Sequence, residues 1–562
     1  MKPLSIANNS GHFEHFATIA PAGSTVGGSG RHRAGAVSAH PGGSGRHRAG
    51  AVSAHPGRTM AMLELIKRLG KKVVGVLSCF DRIILSGTIP EIRYAAGMEK
   101  VLRRNGFRIF DFVKWAKPFN EKIRENAERL AKENGLKIQH LRIRKNRKDE
   151  MVKKIIKKRG DHPGLVHIFS VMETCRTYKS WYDKAKGEPL LKPDKGYCLH
   201  YYFYFIDEQL GLCHMRVPTW APFRLQFYFN GHNLLANQLR KSGIEFTKVE
   251  NVFLNIADFK RAQVKADRFP VRTLKRLLSR YTRQFCPVAR YFPYDWGIMQ
   301  AERATDIVFL RQTELKPFYE RLVRTAIHAV KAENVATFLG RKLTANFQDE
   351  LGNKFHTRIE GSRILHHMGP VSIKMYDKLG IVLRIETTVN DVSFFKHYRK
   401  VEHRDGTSEM KFAPMKKTMF SLPALQELTT ASNRRYLDFL STLDDPSSGY
   451  HALEQISRRV RNGARSYRGF NLFDGEDLDL FEAIVRGEFM ISGFRNRDLR
   501  SVLQGKNAGQ VGRMLKRLRT HKLIKRVGKT YKYYLTKLGR RVIAAALIVR
   551  ELELVPALAE AY

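Results

Sequence analysis

The chain is short of acids and of sulfur. Asp and Glu number 53 against 100 Lys and Arg, which leaves a formal charge of +47. Five cysteines occur in 562 residues (Cys79, Cys175, Cys198, Cys213 and Cys286), with no CxxC spacing among them. That argues against a disulfide framework and fits a reducing cytoplasm. No apolar run approaches the roughly 18 residues of a membrane-spanning helix; the longest candidate, Val542–Val549, is far too short. No secretory signal is evident at Met1. No His-x-His pair exists, and His366-His367 is the nearest approach. What is present is enough apolar and aromatic residue for real cores. A charge this large repels itself in a compact fold, and a polyanion relieves the repulsion by counterion release. Nucleic acid, DNA first, is therefore the expected partner, and a membrane is not.

Composition changes along the chain. Residues 1–59 are expected to be a disordered low-complexity leader, because GGSGRHRAGAVSAHP stands at Gly27–Pro41 and again at Gly42–Pro56 without hydrophobic period. The duplication reads as a DNA-level repeat upstream of an initiator at Met60 or Met62; a basic arm is the alternative. Residues 60–250 read as an α/β domain. Its expected parts are a strand pair over Val73–Ile89 around Asp81, helices at Ala95–Asn105 and Pro118–Asn134, a polar loop at Lys179–Gly196, and a hairpin of Leu199–Ile206 with Leu210–Val217. Residues 251–345 read as a helical basic segment, with Leu274, Leu277, Leu278 and Tyr281 on one stripe. A small β-rich domain is expected at 346–445, then a linker at 446–475 with a hinge at Asp445–Gly449. The fold class is α/β (mixed α+β), multidomain, with a C-terminal winged helix-turn-helix at 476–555.

That last assignment rests on a short helix at Arg495–Leu503 and a second at Asn507–Ile524. Val511, Met514, Leu515 and Leu518 form one stripe of the second, and Asn507 is a suitable N-cap. Ile524–Thr536 then alternates like two strands about Gly528-Lys529. The segment resembles the winged-helix domain of MarR-type bacterial regulators. The resemblance implies a DNA-reading helix presenting Gln510, Arg513, Lys516, Arg517 and Arg519, and a wing whose Lys525, Arg526, Lys529 and Lys532 meet phosphates. It also implies paired half-sites and so a possible homodimer. A winged helix used for protein contacts, with an idle basic surface, is the other reading.

A central stretch, Ser372–Asp391, contains Tyr376-Asp377-Lys378, a turn, then Arg384-Ile385-Glu386. It resembles the strand pair of rolling-circle replication initiators, in which an acid binds metal and a tyrosine cuts single-stranded DNA. Carried over, Glu386 and Asp377 are the expected ligands of Mg²⁺ or Mn²⁺, aided by Glu360 or one of His356, His366 and His367. Tyr376 is the expected nucleophile, with Lys374 or Lys378 steadying charge. The missing His-x-His motif departs from that family. Arg384 and Glu386 share a strand face and equally fit an ion pair.

Three further constellations stand in the sequence. Asp81 with Asp207 or Glu208 and Glu386 is a candidate acidic triad, against a structural Asp81 paired with Arg82 or Arg93. Cys198, His200, Cys213 and His214 have the right number for zinc, although neighbours on a strand alternate faces. Aromatics among bases (Tyr178, Trp181 and Tyr182; Trp220 and Phe223; Tyr281, Phe285 and Tyr291–Trp296) are candidate stacking platforms for single strands, or else core. The whole chain resembles proteins encoded in many copies in soil-bacterial genomes. The expected function is DNA binding by a protein of mobile-element origin, nicking or transferring DNA at a metal-assisted site. The alternative is a non-catalytic winged-helix regulator or an RNA- or single-strand-binding protein.

Overall fold

The computed structural model describes residues 69–142, 148–341, 351–358, 361–403, 405–443, 456–471, 474–528 and 530–550. The leader with its repeat, Met60 and Met62, Glu360, the hinge Asp445–Gly449 and Lys529 lie outside these, as does the side chain of His356.

The fold is mixed α/β, built on one sheet of eleven strands. In chain order the first part is β1 (Val73–Thr88), α1 (Ala95–Arg104), α2 (Phe112–Glu133), β2 (Gln139–Leu141), α3 (Lys148–Arg159), β3 (Gly164–Asp183), β4 (Glu188–Asp207), β5 (Gly211–Pro218), β6 (Leu225–Asn230) and α4 (Gly231–Arg240). A short hairpin, β7 (Phe246–Val249) with β8 (Val252–Ile256), leads to α5 (Phe259–Asp267) and α6 (Val271–Phe285). The second part is β9 (Asp295–Phe309), α7 (Gln312–Ala329), α8 (Ala332–Phe338), β10 (Leu351–Arg358), β11 (Gly361–Met368), β12 (Val371–Lys378) and β13 (Val382–Val389). A separate hairpin of β14 (Lys396–Glu402) and β15 (Ser408–Pro414) precedes α9 (Leu422–Leu443).

The strand order is β10-β11-β12-β13-β9-β1-β6-β5-β4-β3-β2. Reading outward from the β1–β9 seam, each half begins with its first strand and then runs through its remaining four or five strands of the sheet in reverse. Both halves contain a first strand, helices and an antiparallel meander whose last strand returns beside the first. Among the described residues, only β2 pairs in parallel, with β3.

One sheet face is apolar. It packs under α1, α2, α6, α7 and α9 through Phe203, Phe227, Phe229, Ile307 and Leu383. The expected stripe of α6 is buried there, and Phe285 stacks on Phe203 at 4.7 Å. Burial of side chains this size is worth about 1.5–3 kcal/mol each. The opposite face is covered only in patches, by α4 and α5 over Leu77 and Cys79 and by α3 over Phe169 and Tyr204.

The structure differs from the sequence reading in three places. The segments drawn at 60–250, 251–345 and 346–445 share this single sheet, because Asp295–Phe309 is a strand bonded to both β1 and β13. Its end, Arg303–Phe309, is buried on both faces and mixes polar with apolar residues, so no alternation reveals it. Lys179–Gly196 is not a loop but the extended part of the β3–β4 hairpin. Val73–Thr88 is one strand, not a pair.

A hairpin of β16 (Val460–Asn462) and β17 (Arg465–Tyr467) opens the C-terminal part. Then come α10 (Gly475–Ile484), α11 (Gly487–Ser492), α12 (Asn496–Arg500), α13 (Ala508–Thr520), a hairpin of β18 (Ile524–Arg526) and β19 (Tyr533–Leu535), and α14 (Lys537–Ile548). These elements close around their own core of Leu480, Phe481, Val511, Leu515 and Leu518. Asn507 caps α13 as expected, and Gln510 closes the capping box by accepting from the Asn507 backbone at 2.7 Å. The module docks on the rest through α11 and α8. A Cβ at Gly487 would meet Thr337 Oγ1 at 2.3 Å, and Arg486 pairs with Glu333 at 3.3 Å.

Candidate functional site

The patchily covered face of the sheet carries charge at its seam. On β1 the register with β9 slips from Phe80–Arg303 to Ile83–Ala301, so Asp81 and Arg82 occupy a bulge. Bulges re-aim side chains, and both residues face the charged centre. Glycine at 231 lets α4 begin against that bulge, since a Cβ there would lie 2.2 Å from the Phe80 carbonyl oxygen. Asn230 caps α4 and donates to Asp81 Oδ1 at 3.0 Å. Asn251 donates to both Asp81 oxygens at 2.6 Å.

Alternation on β9, β12 and β13 supplies the rest. Glu386 pairs in register with Lys374, Arg384 with Tyr376 and with Asp306, and Thr388 with Glu302, so all share one face. Among the described residues, Asp81, Glu302 and Glu386 form the one group able to hold a metal, with ligand atoms within 4.8 Å of one another. Lys374 Nζ lies 3.0 Å from Glu386 and 3.9 Å from Glu302. Tyr376 donates its hydroxyl proton to Glu386 Oε2 at 2.8 Å, and Arg82 lies 3.9 Å from Glu302.

The three carboxyls titrate differently. Burial raises Asp81, but the His232 hydrogen bond and the charges of Arg384 and Lys378 outweigh it and hold the group well below the usual range. Burial also raises Glu386, and Lys374, Arg384 and the Tyr376 hydroxyl bring it below its ordinary value. Glu302 is pushed up to about 7, by burial and then by the Glu386 charge, with Lys374 and Arg82 offsetting only part. Two ionised acids and one reluctant acid, bridged by an ammonium, make a site that accepts positive charge.

The sequence candidates separate here. Glu386, Tyr376 and Lys374 sit together, and Lys378 reaches the same face, donating to Asn251 Oδ1 beside Asp81. Asp377 does not join them. It is in register with the core residue Leu383, on the opposite face of β12, and cannot share an ion with Glu386. Arg384 does not pair with Glu386; it grips Asp306 through two nitrogens at 2.6 and 2.7 Å. Asp81 and Glu386 of the proposed acidic triad do meet. Asp207 instead accepts from the Gln209 and Leu210 amides and from Tyr281, closing its turn. Neither Arg82 nor Arg93 is the main partner of Asp81, which is held by Asn230, Asn251, His232 and Arg384. His366 is buried between Asn353 and Tyr436, away from the acids. Glu302 and Asp306 were missed. Both lie in a segment read as helical, and with Arg303 and Thr305 polar on the other face no alternation marks the strand.

The zinc candidates do not converge. Cys198 Sγ lies 3.8 Å from His200, but Cys213 is buried on the apolar face and His214 on the other. Most aromatic candidates are core: Tyr178, Phe223, Tyr281, Phe285, Phe292 and Trp296 are buried, while Trp181, Tyr182 and Tyr291 are exposed.

On the C-terminal module, Arg513, Lys516 and Arg519 of α13 and Lys525 and Arg526 of β18 are exposed, and Lys532 is half-buried. Arg517 is turned inward and corrects its assignment as a base reader. It binds Asp477 at 2.5 and 2.8 Å, donates to the Arg468 and Gly469 carbonyls, and lies 3.9 Å over the Phe470 ring. Among the described residues, no helix is long and apolar enough to cross a membrane.

No family model matches the chain, and no curated protein does. Among solved structures, a class II 3-hydroxy-3-methylglutaryl-CoA reductase from Streptococcus pneumoniae bound to NADPH aligns over 83% of each chain, at 10% identity and a TM-score of 0.18, a likeness that carries no argument about fold or function.

Proposed function

We propose that this is a cytoplasmic DNA-binding protein of mobile-element origin that cuts or transfers strands at the seam of its large sheet. The observation that carries the reading is the meeting of Asp81, Glu302 and Glu386 beside Lys374 and Tyr376, in a chain of charge +47. The exposed Arg513, Lys516 and Arg519 on a capped helix support duplex contact by the terminal module. All five cysteines are free thiols, which suits a reducing compartment.

Asp81, Glu302 and Glu386 would hold Mg²⁺ or Mn²⁺, which supplies charge stabilisation at a phosphoryl oxygen. Tyr376 would be the nucleophile and Glu386 its base. The phenol proton passes to Glu386, the phenolate oxygen bonds to phosphorus, and the bond to the leaving deoxyribose oxygen breaks. That oxygen takes a proton from solvent and Glu386 returns its own to solvent, so the products are a phosphotyrosyl strand and a free hydroxyl end. Lys374 balances charge on the carboxylates.

One observation favours a non-catalytic binder: the Lys374 ammonium already bridges Glu386 and Glu302, as a cation would. Labelled single- and double-stranded DNA incubated with Mn²⁺ or Mg²⁺ separates the readings. Cleavage or a covalent adduct that Glu386→Gln and Tyr376→Phe both abolish supports the enzyme. Binding without turnover on every substrate and metal leaves only the binder.

A further inference from the structure

We propose that the β14–β15 hairpin is a docking arm for single-stranded nucleic acid, with Tyr398 and Phe412 as its stacking pair. The hairpin is a two-stranded sheet of its own, outside the large one. It follows β13, the strand of Glu386, after one short turn at Val392–Phe394. Asp391 anchors its root, accepting from Ser393 and pairing with Lys417 at 2.6 Å.

Its two faces differ. Ala413 is buried and its cross-strand partner His397 is half-buried; on the same face Arg399 Nε donates to the Pro414 carbonyl at 2.8 Å. The other face is open. Tyr398 stands directly opposite Phe412, each 58% exposed, and the next pair is Lys400 with Met410, which is 54% exposed. Lys396 shares that face.

An isolated two-stranded hairpin is marginally stable in water, and large rings left in solvent at its centre mark a surface built to be covered. Rings flanked by Lys396 and Lys400 fit a base between or upon them and phosphates at the ammonium groups. The cations, on a chain already strongly positive, oppose a second copy of the same surface. A duplex hides its base faces, so the rings select unpaired strands. This inference rests on the nucleic-acid reading above and adds the strandedness of the substrate and where it is held.

The test uses the full chain with labelled oligothymidylate, oligouridylate and a DNA duplex. In the double variant Tyr398→Ala/Phe412→Ala, single-strand affinity is expected to fall about tenfold or more, with duplex affinity unchanged. Lys400→Ala should lower the salt slope for single strands by about 0.7. The oligouridylate arm shows whether the arm serves RNA as well as DNA. If the double variant binds single strands like the wild type, or loses single strand and duplex alike, the arm is not a single-strand site. A change in oligomeric state at unaltered affinity would show a self-association surface and overturn the proposal. Should the wild type bind none of the probes, the nucleic-acid reading fails with it.

Discussion

Arg517 clasps Asp477 with both ends of its guanidinium, at 2.5 and 2.8 Å, and only 12% of the Arg517 side chain reaches solvent. The pair ties the last turn of α13 to the first turn of α10. Removing one partner leaves a buried charge alone, which costs about 3–5 kcal/mol. Arg517→Ala is therefore expected to lower the unfolding midpoint of the C-terminal module, read by denaturant titration, before any effect on sequence preference.

Arg513 is the contrasting case on the same helix. It is exposed, so Arg513→Ala should leave stability unchanged within about 0.5 kcal/mol. As a base reader it would cost about 1–3 kcal/mol of DNA affinity. Lys525→Ala should instead weaken all sequences alike and reduce the salt slope by about one. Binding isotherms at several salt concentrations separate the two behaviours.

Lys374 acts as an internal counter-ion. In Lys374→Met, Glu302 and Glu386 lose the ammonium between them, and the chain is expected to lose about 3–5 kcal/mol. Mn²⁺ should restore much of that loss if Asp81, Glu302 and Glu386 take a cation. A thermal melt that Mn²⁺ leaves unshifted would remove the metal from the site.

Glu302 has its folded pKa raised to about 7 from an ordinary 4.5. The folded state then holds its proton where the unfolded state has released it. This group's contribution to stability falls as pH rises from 4.5 to 7 and stays low above that. Glu302→Gln should remove this slope, so the variant gains on the wild type at pH 8 and not at pH 4. Denaturant midpoints at the two values, without divalent metal, decide it.

Buried histidines act at the other end. Burial lowers His366 to about 3, and His200 and His214 to about 4. Each stays neutral in the fold while its unfolded form protonates below about 6.5. Their stabilisation is complete above that pH and is lost as pH falls toward the folded values. His366→Gln should flatten the acid limb of the stability curve by up to about 1.4 kcal/mol per pH unit.

Part of the site was legible in the chain. Alternation alone puts Arg384 and Glu386 on one face of β13, and a lone Asp81 inside an apolar run signals a carboxylate in need of partners. What those partners are was not legible. Asp81 lies 303 residues from Arg384, and Asn251, which binds it, stands in a short hairpin with no motif. Asp377 looked equivalent to Glu386 because both are acids in one strand pair, yet a one-residue offset sends them to opposite faces.

Local chemistry by itself determined the helices and the β18–β19 hairpin of the C-terminal module, the Asn507 cap, the β4–β5 hairpin and the cationic character of the surface. These depend on residues a few positions apart, where spacing and propensity act directly. Tertiary structure alone decided that β1 and β9 lie side by side, which brings Glu302 to Asp81 and Glu386. It also decided that Arg517 closes a core while Arg513 faces water. Both outcomes turn on long-range strand register and on which helix face finds a partner, and neither leaves a period in the sequence.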